Sequence, residues 1–414
     1  MRPQVTKKTV SGFRLHLYMA VILFDPPYRN LLAPLSTTKA VAQFHFGLLS
    51  VKERWELLLN EPAYIHTAPY LQGLYTIPNN TESSILSEVT VWIDASVLPN
   101  ESLINNIKAL QLGDCLMDEF GLVAGKSNLP FSEFDPSNTA AYFTQANKID
   151  HTLRLRFPWE IMQMNDAIIG SDFEIVTANR ISQPIPSTVN AIGANQIFIE
   201  EGAKLAFCTL NASTGPIYIG RKAEIMEGSA IRGPFSIGYN SVVKMNSRIY
   251  GGTSLGPYCM GGGEIKNAVM MGYANKAHDG YLGDAVIGEW CNLGAGSSNS
   301  NLKNSAGTIK IFSMGLNDYV SVGQKCGVIM GDYSRVAINS SLNTGSMIGV
   351  SCNVFGEGLL HHTIPHFSFG VKGKQYELTT AIKDINNWKG LKGMELSTNE
   401  INILQYIFTN NKQL

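Results

Sequence analysis

His278 is the only histidine between His151 and His361. An imidazole titrating near neutral pH can take a proton from an amine as that amine attacks an acyl carbon. Around it, residues 248–303 read RIYGGTSLGPYCMGGGEIKNAVMMGYANKAHDGYLGDAVIGEWCNLGAGSSNSNLK, in which Arg248 and Lys266 stand 18 residues apart. If 18 residues make one turn of a regular coil, the two cations lie on adjacent strands about 4.8 Å apart. Cations that close repel unless an anion sits between them, and a phosphate gripped by an Arg fork and a Lys point charge is the natural occupant. Two solvated outward charges are the plainer alternative. Glu264, two residues before Lys266, is a candidate to orient His278, on spacing along the chain alone. The segment GYANKAHDGYLG breaks the surrounding repeat, which predicts a loop bulging from the coil; such loops commonly carry catalytic groups, although a lone loop histidine can be merely exposed.

The repeat that must position these residues is a six-residue clock. Aliphatic residues fall at Ile219, Ile225, Ile231, Ile237, Val243, Ile249 and Leu255, and again at Met330, Val336, Leu342, Ile348 and Val354. Neither a helix nor a half-buried strand has that period. Six is the hexapeptide repeat of a parallel β-helix, in which each hexad forms one flat side and points one aliphatic inward. With three sides per coil, Ile219, Ile237 and Leu255 should stack along the axis, the first coil beginning near Ile192. Glycine supports the boundary, with 7 residues in 1–190 and 29 in 191–370.

The first half has different periodicities. Residues 20–24 (AVILF), ending in Asp25-Pro26-Pro27, read as a buried first strand, and the basic loop after it is where an open α/β sheet binds phosphates. Residues 48–60 are apolar at helical spacing. VTVWI then forms a second strand ending at Asp94, before a helix over 102–110. Asp94 is either a metal ligand at a strand's carboxyl end or a cap of the following turn. After residue 370 the sequence is helical again, as a cap for the open end of a solenoid or a partner-facing element.

Composition narrows the function. A formal net charge of −1 lacks the basic footprint of nucleic-acid binding. Six cysteines without a CxxC pair suit reduced thiols in a cytoplasmic protein, and no apolar run is long enough to span a membrane. His278 is the one histidine in the coils before His361, so a three-histidine zinc site among those coils is rejected.

The pattern KAHDGYLGDAVIGEWCNLGAGSSNSN resembles the acetyltransferase half of the bacterial bifunctional N-acetylglucosamine-1-phosphate uridylyltransferase / glucosamine-1-phosphate acetyltransferase family. Over its whole length the chain resembles that family's shorter variant, the sugar nucleotidyltransferases. The resemblance implies that His278 is the general base and that Arg248, Lys266, Tyr281 and Asn292 hold the sugar phosphate. It implies that the Ala295 amide is the oxyanion donor and that Asn301 meets acetyl-CoA. Leu302 stands where the family has tyrosine, and the family's downstream sugar-binding lysine has no counterpart. In the first half, RNLLAPLSTTKAVAQF resembles the variant's PLTxTRP signature, with Lys39 at its arginine and Ala40 at its proline. Arg29 and Lys39 would then neutralise nucleotide phosphates, and Asp94 would hold Mg2+. The glycine-rich uridylyltransferase loop is absent.

The expected architecture is an α/β nucleotidyltransferase-like (Rossmann-like) N-terminal domain plus a left-handed parallel β-helix of hexapeptide repeats. Residues 1–18 form a disordered basic extension, 19–190 the α/β domain, 191–370 the β-helix and 371–414 a helical tail. The implied partners are sugar phosphate, a nucleoside triphosphate such as UTP, acetyl-CoA and two further copies in a homotrimer, with neither nucleic acid nor membrane. Two rivals stand beside this: an acyltransferase for another amino sugar with an inactive nucleotide-binding first domain, and a non-enzymatic trimeric scaffold.

Overall fold

The computed structural model describes residues 20–77 and 89–410. The basic extension expected at 1–18 lies outside the described residues. Strand β1 (Ala20–Phe24) is fully buried and central because aliphatics face both sides of the sheet. It pairs in parallel with β2 (Ala63–His66) and β3 (Thr90–Asp94). Two more strands, β4 (Asp114–Asp118) and β5 (Gly121–Ser127), and then β6 (Gln145–Lys148) complete the order β2-β1-β3-β5-β4-β6. Helix α1 (Val51–Leu59) opens with a capping box between Ser50 and Glu53, and α2 (Glu101–Ala109) is capped by Asn100.

From Asn190 the chain winds into a triangular parallel β-helix. Ile219 pairs with Ile237, and Ile237 with Leu255, in the stacking the clock requires. All seven residues of the first run are no more than 2% exposed. Burying each such side chain contributes roughly 1.5–3 kcal/mol before entropy is charged against it. The clock then slips. Arg248 pairs with Glu264, and Leu255 with Met270, so this coil is two or three residues short of 18. Two residues are lost at the corner Gly262-Gly263, just after Gly261 in its strand, and the third between Ile265 and Val269. A Cβ on Gly262 would lie 2.4 Å from Ala277 O, and Gly263 has φ +71°, so only glycines allow the chain to turn this tightly.

The two halves share one core. Helix α3 (Glu160–Thr177) lies on the β-helix, where Asn165 accepts from Gly47 N at 2.7 Å and donates to Gly252 O at 2.7 Å. An insertion after Asn299 carries an antiparallel hairpin (Ile309–Ser313 with Asp318–Gly323), whose Ile309 and Ile311 pack into the α/β core. The tail helices α4 (Leu378–Gly390) and α5 (Thr398–Asn410) close over Val350, Phe367 and Tyr376 of the last coils and over Leu71 of the first domain. The six cysteines are buried and unpaired. Among the described residues no helix is long and apolar enough to cross a membrane.

Candidate functional site

The coil slip changes the cation geometry. Arg248 stacks on Glu264, not on Lys266, and the Arg248 Nε to Glu264 Oε2 distance is 3.5 Å. Lys266 is instead level with Tyr250, whose N–H donates to Ile265 O. One strand step and two residues along it separate Arg248 from Lys266, roughly 8 Å between backbones. Their long side chains can still converge on one anion. Glu264 is engaged by Arg248 and makes no hydrogen bond to His278, so its expected orienting role is not what the structure builds.

His278 does not sit on a bulged loop. Asn275–Lys276 is a regular strand in register with Met260 before it and Asn292 after it, so the coil continues. His278 lies at the next corner, exposed, three residues before Tyr281, which pairs with Glu264 on the cation face. No hydrogen bond or ion pair reaches its ring from the described residues. One coil on lies the corner Gly294–Ser297, with Gly296 N donating to Asp279 O at 3.0 Å. Ala295 accepts through its carbonyl from Asn339 N, while its own N–H meets no acceptor among the described residues. An unpaired imidazole and an unpaired amide thus occupy successive turns of one corner.

Tyr281 accepts a hydrogen bond from Asn301 Nδ2 at 3.0 Å, and the same amide reaches Asp284. Burial, with Asp284 and Glu264 nearby, pushes the Tyr281 phenol up to about 12, so it stays a neutral donor. Asn292 is on the adjoining side, around the corner from the cation face. Two residues missed from sequence belong here. Arg232 is exposed and shares a cavity of about 250 Å³ with Arg248 and Tyr250. The signal was present, because Arg232 precedes Tyr250 by 18 residues and the clock still held there. Lys276 is the other: it is 0% exposed, and its ammonium donates to the carbonyls of Gly262 (3.3 Å) and His278.

In the first domain the expected ligands point elsewhere. Lys39 is 5% exposed and forms ion pairs with Glu289 at 2.7 Å and Asp332 at 2.9 Å, both on the β-helix. Burial opposes its charge, but the two carboxylates hold its pKa above the ordinary lysine value. It therefore bolts the domains together and is not free for a phosphate. Arg29 pairs with Asp25 at 2.9 Å and also donates to Ser36 O. It still lines a cleft of about 600 Å³ with His66, Thr67, Phe131 and Phe134, at the carboxyl ends of β1 and β2 where open α/β sheets take ligands.

Asp94 does not fit a magnesium ion. Its Oδ2 accepts from Arg154 Nη1 at 2.5 Å, and its Oδ1 accepts from Ser96 N at 2.8 Å and Ser96 Oγ at 2.7 Å. Arg154 also pairs with Asp118 at 2.6 Å, and all three side chains are at most 4% exposed. A guanidinium already stands where a divalent cation would have to go. Among the described residues no cluster of three or more His, Cys, Asp or Glu could hold a metal.

A hexapeptide-type β-helix welded to a small α/β domain defines the class. Residues 21–181 match the family model described as sugar nucleotidyl transferase. The chain is similar to the bifunctional protein GlmU of Methanocaldococcus jannaschii, 30% identical over 109 residues that cover 26% of each protein. It is also 30% identical, over 107 residues and 26% of each protein, to the bifunctional sugar-1-phosphate nucleotidylyltransferase/acetyltransferase of Sulfurisphaera tokodaii. Against GlmU of Synechococcus elongatus the match is 24% over 230 residues, 50% of this chain and 46% of that protein. The chain thus matches between about a quarter and a half of the length of these relatives. The resemblance read from the motifs stands: the chain is similar to bifunctional sugar-1-phosphate transferases, and its first half matches the sugar nucleotidyl transferase model. UDP-N-acetylglucosamine acyltransferase from Campylobacter jejuni aligns over 54% of this chain and 96% of that chain, at 15% identity and a TM-score of 0.23.

Proposed function

We propose that the β-helix transfers an acetyl group from acetyl-CoA to the amine of a phosphorylated amino sugar, such as glucosamine 1-phosphate. The observation that carries this is the shared corner, where the unpaired His278 ring and the unpaired Ala295 amide stand beside the face of Arg232, Arg248 and Lys266. The cations take the phosphate, with Tyr281, Asn292 and Asn301 lining the approach. His278 removes a proton from the amine as its nitrogen bonds to the thioester carbon, and the Ala295 N–H donates to the oxygen that becomes negative. The C–S bond then breaks and the thiolate leaves, protonated from the imidazolium. A single chain leaves this site open to solvent, which suits completion by a neighbouring β-helix in a homotrimer.

For the first domain the reading is a nucleotide or nucleotide-sugar module using the cleft beside Arg29 and His66, with no step through Asp94. Nucleotidyl transfer is the second reading, favoured by the family match over residues 21–181. The deciding experiment is free-thiol release from acetyl-CoA with glucosamine 1-phosphate, wild type against His278→Ala. Release by wild type that His278→Ala abolishes supports the acetyltransferase. Equal release by both removes His278 as the base.

A further inference from the structure

One inward column of the β-helix reads Leu205, Ile225, Val243, Gly261 and Lys276 in register. After Leu293 it resumes as Val336 and Val354. A lysine therefore occupies an aliphatic position, and it is 0% exposed. Its ammonium has two backbone carbonyls, of Gly262 and His278, and no ion pair to an acid among the described residues. Asp279 is the charged group that acts on it. Burial lowers its pKa to about 8. An ammonium in such a place is costly, and a methionine would fill the same volume without that cost.

What a methionine lacks is the bond to the His278 carbonyl. The turn 277–280 otherwise rests on bare backbone: a Cβ on Gly263 would come within 2.9 Å of His278 O, so no side chain beneath can hold it. Among the described residues two backbone amides grip the turn at its far end, Gly296 N at Asp279 O (3.0 Å) and Glu264 N at Gly280 O (3.1 Å), and neither reaches the His278 carbonyl. We propose that Lys276 is a positioning residue, its ammonium fixing the turn that aims the His278 imidazole. This rests on the reading of His278 as the general base.

The test is Lys276→Met in the full-length chain. The variant should melt higher than wild type below pH 8, where the buried charge is fully present. The difference should close as pH rises from about 8 toward the ordinary lysine value of about 10.4, because the folded lysine loses its proton first. Amide hydrogen exchange over 277–280 should quicken while that over 264–270 stays unchanged. Thiol release should fall roughly tenfold or more in kcat, with KM for acetyl-CoA unchanged. A variant that melts lower makes the lysine a fold element and overturns the proposal. Unchanged exchange over 277–280 overturns it too, whatever the enzymatic result. If His278→Ala keeps the wild-type rate, the base assignment fails instead, and exchange alone judges the anchoring.

Discussion

Arg154 and Arg248 are both arginines beside carboxylates, in opposite circumstances. Arg154 is 2% exposed and locked to Asp94 and Asp118 at 2.5 and 2.6 Å, whereas Arg248 is 54% exposed and meets Glu264 only at 3.5 Å. The contrast extends to the regions around them. In the α/β half, Arg29, Lys39, Arg54 and Arg154 all close on acids. On the β-helix face, Arg232 and Lys266 have no ion-pair partner among the described residues, and the His278 ring is unpaired. A charge withdrawn from water needs its partner to remain folded, so it serves the architecture. A charge left in water with one long contact costs little to redirect to a ligand. The family match lies on the first half, yet the free chemistry lies on the second.

That comparison can be broken by exchanging the roles. The largest effect is expected from Lys39→Met, which leaves Asp332 and Glu289 facing each other unpaired. Urea denaturation should show a loss of about 3–5 kcal/mol, with thiol release unchanged at temperatures where the variant is folded. Unaltered stability with weakened nucleotide binding would return Lys39 to the phosphate site. Next, His278→Ala should lose about 10²-fold in thiol release while melting with wild type. A smaller effect follows from Arg248→Gln or Lys266→Gln. Each should raise KM for the phosphorylated acceptor about tenfold, about 1.4 kcal/mol, and leave kcat and stability alone. The smallest concerns metal. Chelation by EDTA should change neither nucleotide binding by the first domain nor thiol release, and Mn2+ titration followed by electron paramagnetic resonance should show no tight site. A tight Mn2+ signal that vanishes in Asp94→Asn would place a metal at Asp94 after all.

Much of the fold was legible because its period is written directly in the chain. Ile219, Ile237 and Leu255 stack as the clock requires, and the strand ending at Asp94 appears as Thr90–Asp94. The site was legible as a set of residues more than as a geometry. His278, Ala295 and Tyr281 do gather about one corner, but the expected bulge is a regular strand and corner, and the Arg248–Lys266 stack is a diagonal. Arg232 was visible in principle. Lys276 was not, since nothing in its spacing distinguishes an outward lysine from one standing in an aliphatic column.

The sequence by itself determined the coil, because a six-residue alternation of aliphatic and turn residues satisfies no other backbone period, and it determined which residue types stand near His278. Only the tertiary structure decided which charges are available. Lys39 finds Asp332 across 293 residues and Arg154 finds Asp94 across 60. Ion pairing depends on distance and burial in space, and neither is a function of separation along the chain.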